Sequence, residues 1–124
     1  MATTAGHWVG LGAVFWLVAA VALRLAEPLG VVGAGAAPQA LALAVVAAAL
    51  AVTVIAVQAL LRLSGARLFE AVSVMTMTAL LLDGLAFSFA PGLYGNGEGH
   101  RLAASALVLW GGGVGMLVAW WRGR

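Results

Sequence analysis

The sequence predicts an all-α, polytopic integral membrane protein: one domain, residues 1–124, folded as an up-down bundle of four transmembrane helices. Three observations predict it. Hydrophobic residues make up 65% of the chain and charged residues only 8%, against about 25% charged in ordinary soluble domains. The mean hydropathy is +1.12. The apolar residues also gather into four runs, approximately 8–25, 39–61, 68–90 and 102–121. Each is close to the ~20 residues that a helix needs to cross a hydrocarbon core of ~30 Å. A spanning segment must satisfy its own backbone hydrogen bonds, and for a single run of this length only a helix does so.

The first run, Trp8–Leu25, reads as a retained helix rather than a signal peptide, because Met1–Gly6 carries no basic residue and the apolar stretch is long. Glu27-Pro28 and the glycines Gly30, Gly33 and Gly35 then break helical periodicity. Pro38 suits the first turn of the second helix, where its missing N–H costs nothing. Ser64-Gly65 makes a tight hairpin, so the second and third helices are expected to pack antiparallel. Pro91-Gly92 ends the third helix, and Gly95-Asn96-Gly97 begins a flexible loop that includes His100. The fourth helix carries the chain to Trp121.

An even number of spans puts both termini on the side of the Ser64-Gly65 hairpin. That side carries Arg62, Arg67, Arg122 and Arg124, whereas the other carries Arg24 and Arg101, offset by Glu27 and Glu98. The excess of arginine predicts that both termini are cytoplasmic, in a bacterial inner membrane. Trp8, Trp120 and Trp121 are expected at the cytoplasmic interface and Tyr94 at the outer one.

The sequence pI near 10.6 reflects arginines at helix ends, so it speaks for topology and no nucleic-acid partner is expected. The absence of cysteine excludes disulfides and thiolate metal sites. His7 and His100 fall on opposite sides of the membrane, so no metal site is expected from them. No nucleophile–base set, phosphate-binding loop or pair of carboxylates can be assembled, so no catalytic residue is assigned and enzyme activity is not expected.

Asp83 stands out because it lies inside the third apolar run, where a carboxylate must be paired, protonated or facing a wet or protein-lined interior. At 100° per residue, Ser73, Thr76, Ala79, Asp83, Ala86 and Ala90 share one stripe, with Val74, Leu81 and Leu85 nearly opposite. The small and polar stripe, with Thr76 and Asp83 as its intramembrane polar site, should face the bundle interior. Arg24 is the expected partner of Asp83, its long stem bending toward the core. Two readings follow: a structural pair registering helices one and three, or a proton or substrate site. Thr78 is expected to bond its own helix backbone.

On the fourth helix, Ala103, Gly111, Gly115 and Ala119 share a face at multiples of four, which lets two backbones approach closely. The expected internal partner is the Gly10 and Gly12 face of helix one; a dimer or partner-subunit contact is the alternative. Trp16 and Trp110 lie at mid-membrane beside Gly111-Gly112-Gly113. Either they fill space opposite small residues, or they line a groove for an apolar ligand such as a quinone, carotenoid or lipid tail. No other cofactor is implied.

The stretch Leu80-Leu-Leu-Asp83-Gly-Leu-Ala-Phe87, with Pro91-Gly-Leu-Tyr94, Leu109-Trp110-Gly111 and the first-helix pattern Gly12, Trp16, Arg24, resembles an uncharacterised bacterial family of small four-helix integral membrane proteins. The resemblance spans nearly the whole chain and implies a fold without an assigned activity. Small multidrug exporters are similar in size but place their essential acid in helix one, where this chain has Val14 and Phe15. Small dual-topology fluoride channels are similar in length, yet their Thr/Ser-rich pore signatures are missing and the arginine bias opposes dual insertion.

Two functions are consistent with these features. One is a non-enzymatic structural or accessory subunit that meets the lipid bilayer and packs against partner membrane subunits or further copies of itself within a larger membrane complex. The other is a small proton-coupled transporter or carrier built around Asp83, working as a dimer.

Overall fold

A computed structural model describes residues 2–124, with side chains from Ala5 onward. It is a bundle of four membrane-length helices: α1 (Ala2–Ala26), α2 (Ala36–Leu61), α3 (Ala66–Phe89) and α4 (Glu98–Arg122). All four are long and apolar enough to cross a bilayer. Single helical turns at Glu27–Leu29 and Pro91–Tyr94 punctuate the first and third connections. We call the end bearing both termini and the α2–α3 hairpin the terminal end, and the opposite end the distal end.

The helices begin earlier than hydropathy alone suggests, most of all α4, which starts at Glu98 and so takes in His100. The reason is electrostatic. The first N–H groups of a helix lack internal partners and carry positive partial charge. Glu27, from the first connection, supplies the acceptor: its carboxylate takes the N–H of Asn96 at 2.9 Å and of Gly97 at 2.7 Å. A residue distant in sequence thus caps the helix, and the expected Gly95–His100 loop shortens accordingly.

In sequence order the chain goes up and down, but the neighbours in space are α1 with α3, α3 with α4, and α4 with α2. The lateral order is therefore α1, α3, α4, α2. The tight hairpin does form. Arg62 adopts a left-handed conformation (φ 53°) at the end of α2, and the N–H of Leu63 returns to the carbonyl of Gln58 at 3.1 Å. The expected antiparallel packing of α2 on α3 does not follow from it, because α2 packs along its length only against α4. The elements converge at the terminal end, where Trp8, Val54, Val57, Leu63, Leu68, Ala71, Val72, Met75 and Ala119 form one buried cluster. Trp8 therefore belongs to the core rather than to an interfacial belt, while Trp120 and Trp121 are exposed.

Lipid tails are as apolar as leucine, so association inside a bilayer depends on close packing and polar contacts rather than on escape from water. The small residues carry that packing, though not between the faces expected. Gly12 of α1 lies against the Met75 backbone of α3; a Cβ there would sit 2.6 Å from the Met75 carbonyl oxygen. Gly111 and Gly115 of α4 receive Val46 and Leu50 of α2, not α1, while Gly10 faces open space. The small stripe of α4 is thus occupied within the monomer.

Gly12→Ala should therefore separate α1 from α3 and lower stability by about 1–3 kcal/mol, the usual cost of overpacking. Gly10→Ala should be neutral or slightly stabilising. Thermal unfolding in detergent distinguishes the two; equal melting temperatures would refute the close contact.

Candidate functional site: a lateral cleft with a carboxyl in its wall

Because α1 and α2 are not neighbours along their length, a cleft of about 670 Å³ opens between them. Phe15, Val18 and Ala19 form one wall and Leu41, Val45 and Ala49 the other. Thr76, Ala79 and Asp83 of α3, with Gly111, Gly112 and Gly115 of α4, form its back. It reaches Val32 and Pro38 at the distal end and closes on Val54, Val57, Val72 and Met75 toward the terminal end. Nearly all of this lining is hydrocarbon.

The middle of the α3 stripe is placed as its periodicity predicts, but Ala90 lies past the end of the helix and is exposed. Val74, expected to face away, packs partly buried against the terminal cluster, because α3 is enclosed there on more than one side. Thr76, Ala79 and Asp83 face the cleft, and Ala86 is buried beyond them, while Leu81 and Leu85 point outward. Ser73 also turns inward, and its Oγ is buried without a hydrogen-bond partner. Thr78 bonds the Val74 carbonyl of its own helix at 2.8 Å, as expected.

Asp83 is buried, but its partner is not Arg24. The Tyr94 hydroxyl donates to Asp83 Oδ1, and Trp16 Nε1 donates to the Tyr94 oxygen at 3.1 Å. Arg24 donates to the carbonyl of Gly92 at 2.6 Å. The reason is that a neutral phenol can follow the chain into the bundle, whereas a guanidinium would shed its hydration to do so. Arg24 reaches instead a backbone acceptor close to its own end of the membrane. Tyr94 correspondingly leaves the expected interfacial position: it is fully buried, its ring stacked on Phe87 with centroids 3.8 Å apart and planes 6° from parallel. Burial, and then the adjoining Asp83 carboxyl, push its phenol well above the usual range, so it remains a donor.

The result is a directed chain, Trp16 N–H to Tyr94 O–H to Asp83, that joins α1, the Pro91–Tyr94 turn and α3. It uses one carboxyl oxygen. Oδ2 accepts no hydrogen bond from the described residues, and it is not sealed in, since Ser73 Oγ is the buried side-chain atom left unpaired. Asp83 itself forms part of the wall of the cleft.

The turn that delivers Tyr94 is braced on every side. His100 Nε2 lies 2.8 Å from the Tyr94 carbonyl and 2.9 Å from that of Leu23, so the protonated ring nitrogen bridges α1 and the turn. Gly95 has φ 131°, and a Cβ on it would fall 2.7 Å from the His100 ring and 2.8 Å from the Glu27 carboxylate. Only glycine fits.

Of the expected site residues, Asp83, Thr76 and Trp16 come together at the cleft, joined by Gly111 and Gly115. Trp110 does not line it. Its indole N–H donates to the Leu43 carbonyl at 2.9 Å, and the ring lies half-exposed on the outer flank of α2 and α4. Ala119 sits in the terminal cluster, and Gly10 is remote. Tyr94, Glu27 and His100 are the residues that sequence reasoning missed. The available signal was a lone tyrosine just after the helix-breaking Pro91-Gly92, close enough in the chain to fold back on Asp83. No group of three or more His, Asp or Glu side chains able to hold a metal occurs among the described residues. Comparison of the chain with family models, with curated proteins and with solved structures finds no match in any of the three.

Tyr94→Phe should cost about 1–3 kcal/mol by leaving the carboxyl without its donor. Combined with Asp83→Leu the losses should be less than additive, whereas Arg24→Ala, which touches the turn but not the carboxyl, should couple to Asp83→Leu more weakly. A double-mutant cycle of unfolding in detergent measures this; additivity of the Tyr94 and Asp83 losses would contradict the pairing.

Proposed function

We propose that this protein is a non-enzymatic accessory component of a bacterial inner membrane that holds an apolar molecule of the bilayer in the cleft between α1 and α2. The cleft itself carries the reading: its volume of about 670 Å³ lies within the ~300–1,000 Å³ typical of ligand sites. It runs between two helices of membrane-spanning length, so a hydrocarbon chain can enter it from the membrane without crossing water. The small-residue face of α4, the surface best suited to a second copy or a partner helix, is already taken by α2.

Purified in mild detergent, the protein should retain a lipid-class molecule detectable by native mass spectrometry. Ala19→Trp and Ala49→Trp, which fill the cleft from opposite walls, should release it while leaving the helical fold intact. Protein free of any such molecule, or equal retention in both variants, would refute the reading.

Both termini are proposed to be cytoplasmic, with Asn96 outside, on the strength of the arginine excess at the terminal end. Reporter fusions at Arg124 and Asn96 test this, and an external C-terminus would reverse it.

A second reading, a proton-coupled carrier working as a dimer, draws on one observation: Asp83 borders the cleft instead of pairing with Arg24. For a carrier, Asp83→Asn would fold normally and abolish coupled transport in proteoliposomes.

A further inference from the structure

We infer that the cleft selects a hydrocarbon chain bearing a hydroxyl group, with Asp83 Oδ2 as the atom that reads the hydroxyl. The inference rests on the cleft being a site for an apolar molecule and names the class of that molecule.

The Trp16–Tyr94–Asp83 chain fixes the carboxyl and consumes one oxygen, Oδ1. The other accepts no hydrogen bond from the described residues, and Asp83 lines a space whose walls are hydrocarbon, where an unmatched polar atom is costly. An occupant that is hydrocarbon throughout would cover Oδ2 and leave it unpaired. An occupant with one polar group beside Asp83 satisfies it. A hydroxyl matches the carboxyl in either protonation state: it donates to a carboxylate, and it exchanges hydrogen bonds with a carboxylic acid. A carbonyl or ether oxygen only accepts, so it suits the acid alone. An ammonium only donates, and it would bring a second charge into hydrocarbon.

The depth agrees with a lipid alcohol. Asp83 lies about 9 Å below the distal end of α3, and the cleft continues about 16 Å further to Val72, at 1.5 Å per residue. A chain can therefore place its hydroxyl at Asp83 and lay its tail along Ala79, Thr76 and Met75 toward the closed end. Thr53 and Thr76 are the hydroxyl-bearing residues of the lining. Thr53 donates to the Ala49 carbonyl at 2.7 Å, and Thr76 lies seven residues, about 10 Å, deeper along α3, so Asp83 is the polar group nearest the distal end of the cleft.

The test is photolabelling in phosphatidylcholine nanodiscs with three probes sharing one diazirine-bearing long alkyl chain: the primary alcohol, its methyl ether and the primary amine. Labelled positions are mapped by mass spectrometry. The alcohol should label cleft residues of α1 and α2 about tenfold more than the ether, the ratio expected for one hydrogen bond to a carboxyl. Asp83→Leu should reduce alcohol labelling to the ether level. Asp83→Asn, whose amide also donates and accepts, should largely retain it. Equal labelling by alcohol and ether in the unmodified protein would overturn the hydroxyl selection while leaving the cleft as an apolar site. Preference for the amine would overturn the class. If no probe labels the cleft, the ligand-site reading fails with it. The alcohol–ether comparison needs no variant, so it stands even where Asp83→Leu fails to fold.

Discussion

A carboxyl group inside a bilayer sets the condition that much of this molecule satisfies. Asp83 cannot be left without a partner in hydrocarbon, where an unpaired polar group costs several kcal/mol, and its partner is the hydroxyl of Tyr94. Tyr94 reaches it because Pro91-Gly92 stops α3 and turns the chain back. The turn holds its place because His100, Gly95 and Arg24 pin it to α1 and α4. Glu27 secures the following N–H groups and thereby sets where α4 begins. The distal end of the protein is thus one connected polar assembly with Asp83 as its innermost member.

The terminal end is built differently. There the buried cluster around Leu68, Ala71 and Ala119 is almost wholly hydrocarbon, and close backbone approach at Gly12 does the work that burial from water would do in a soluble protein. Between the two ends the sides of α1 and α2 that face each other have no common partner. The first connection, running from Glu27 to Gly35, is long enough to let them stand apart, and the cleft is the space that results.

The sequence made the membrane class, the helix number and the inward stripe of α3 legible, because each follows from composition or from a period along one helix. Ser73, Thr76, Ala79 and Asp83 needed no knowledge of their neighbours to be placed. Pairings across the bundle were not legible in the same way. Arg24 was the obvious counter-ion for Asp83 by charge, yet the desolvation cost of a guanidinium favours a carbonyl near its own depth, and a phenol took the position. Gly12 and Gly111 do lie at close approaches, but to α3 and α2 rather than to each other, because a small residue does not encode which helix approaches it. Trp16 and Trp110 look equivalent in sequence; the lateral order of the helices puts one inside the cleft and the other on the flank.

That lateral order has a consequence for biogenesis. Helices enter the bilayer in the order of synthesis, N-terminal first, yet α1 finds its packing partner only when α3 arrives, and α2 only when α4 does. The first hairpin to be inserted has no packed interface along its length. α1 must wait in lipid with Trp16 and Glu27 unmatched until Tyr94, Asn96 and Gly97 have been made. Assembly therefore finishes late, and a truncation before Pro91 would leave α1 packed on α3, α2 without its partner α4, and Asp83 without the Tyr94 hydroxyl.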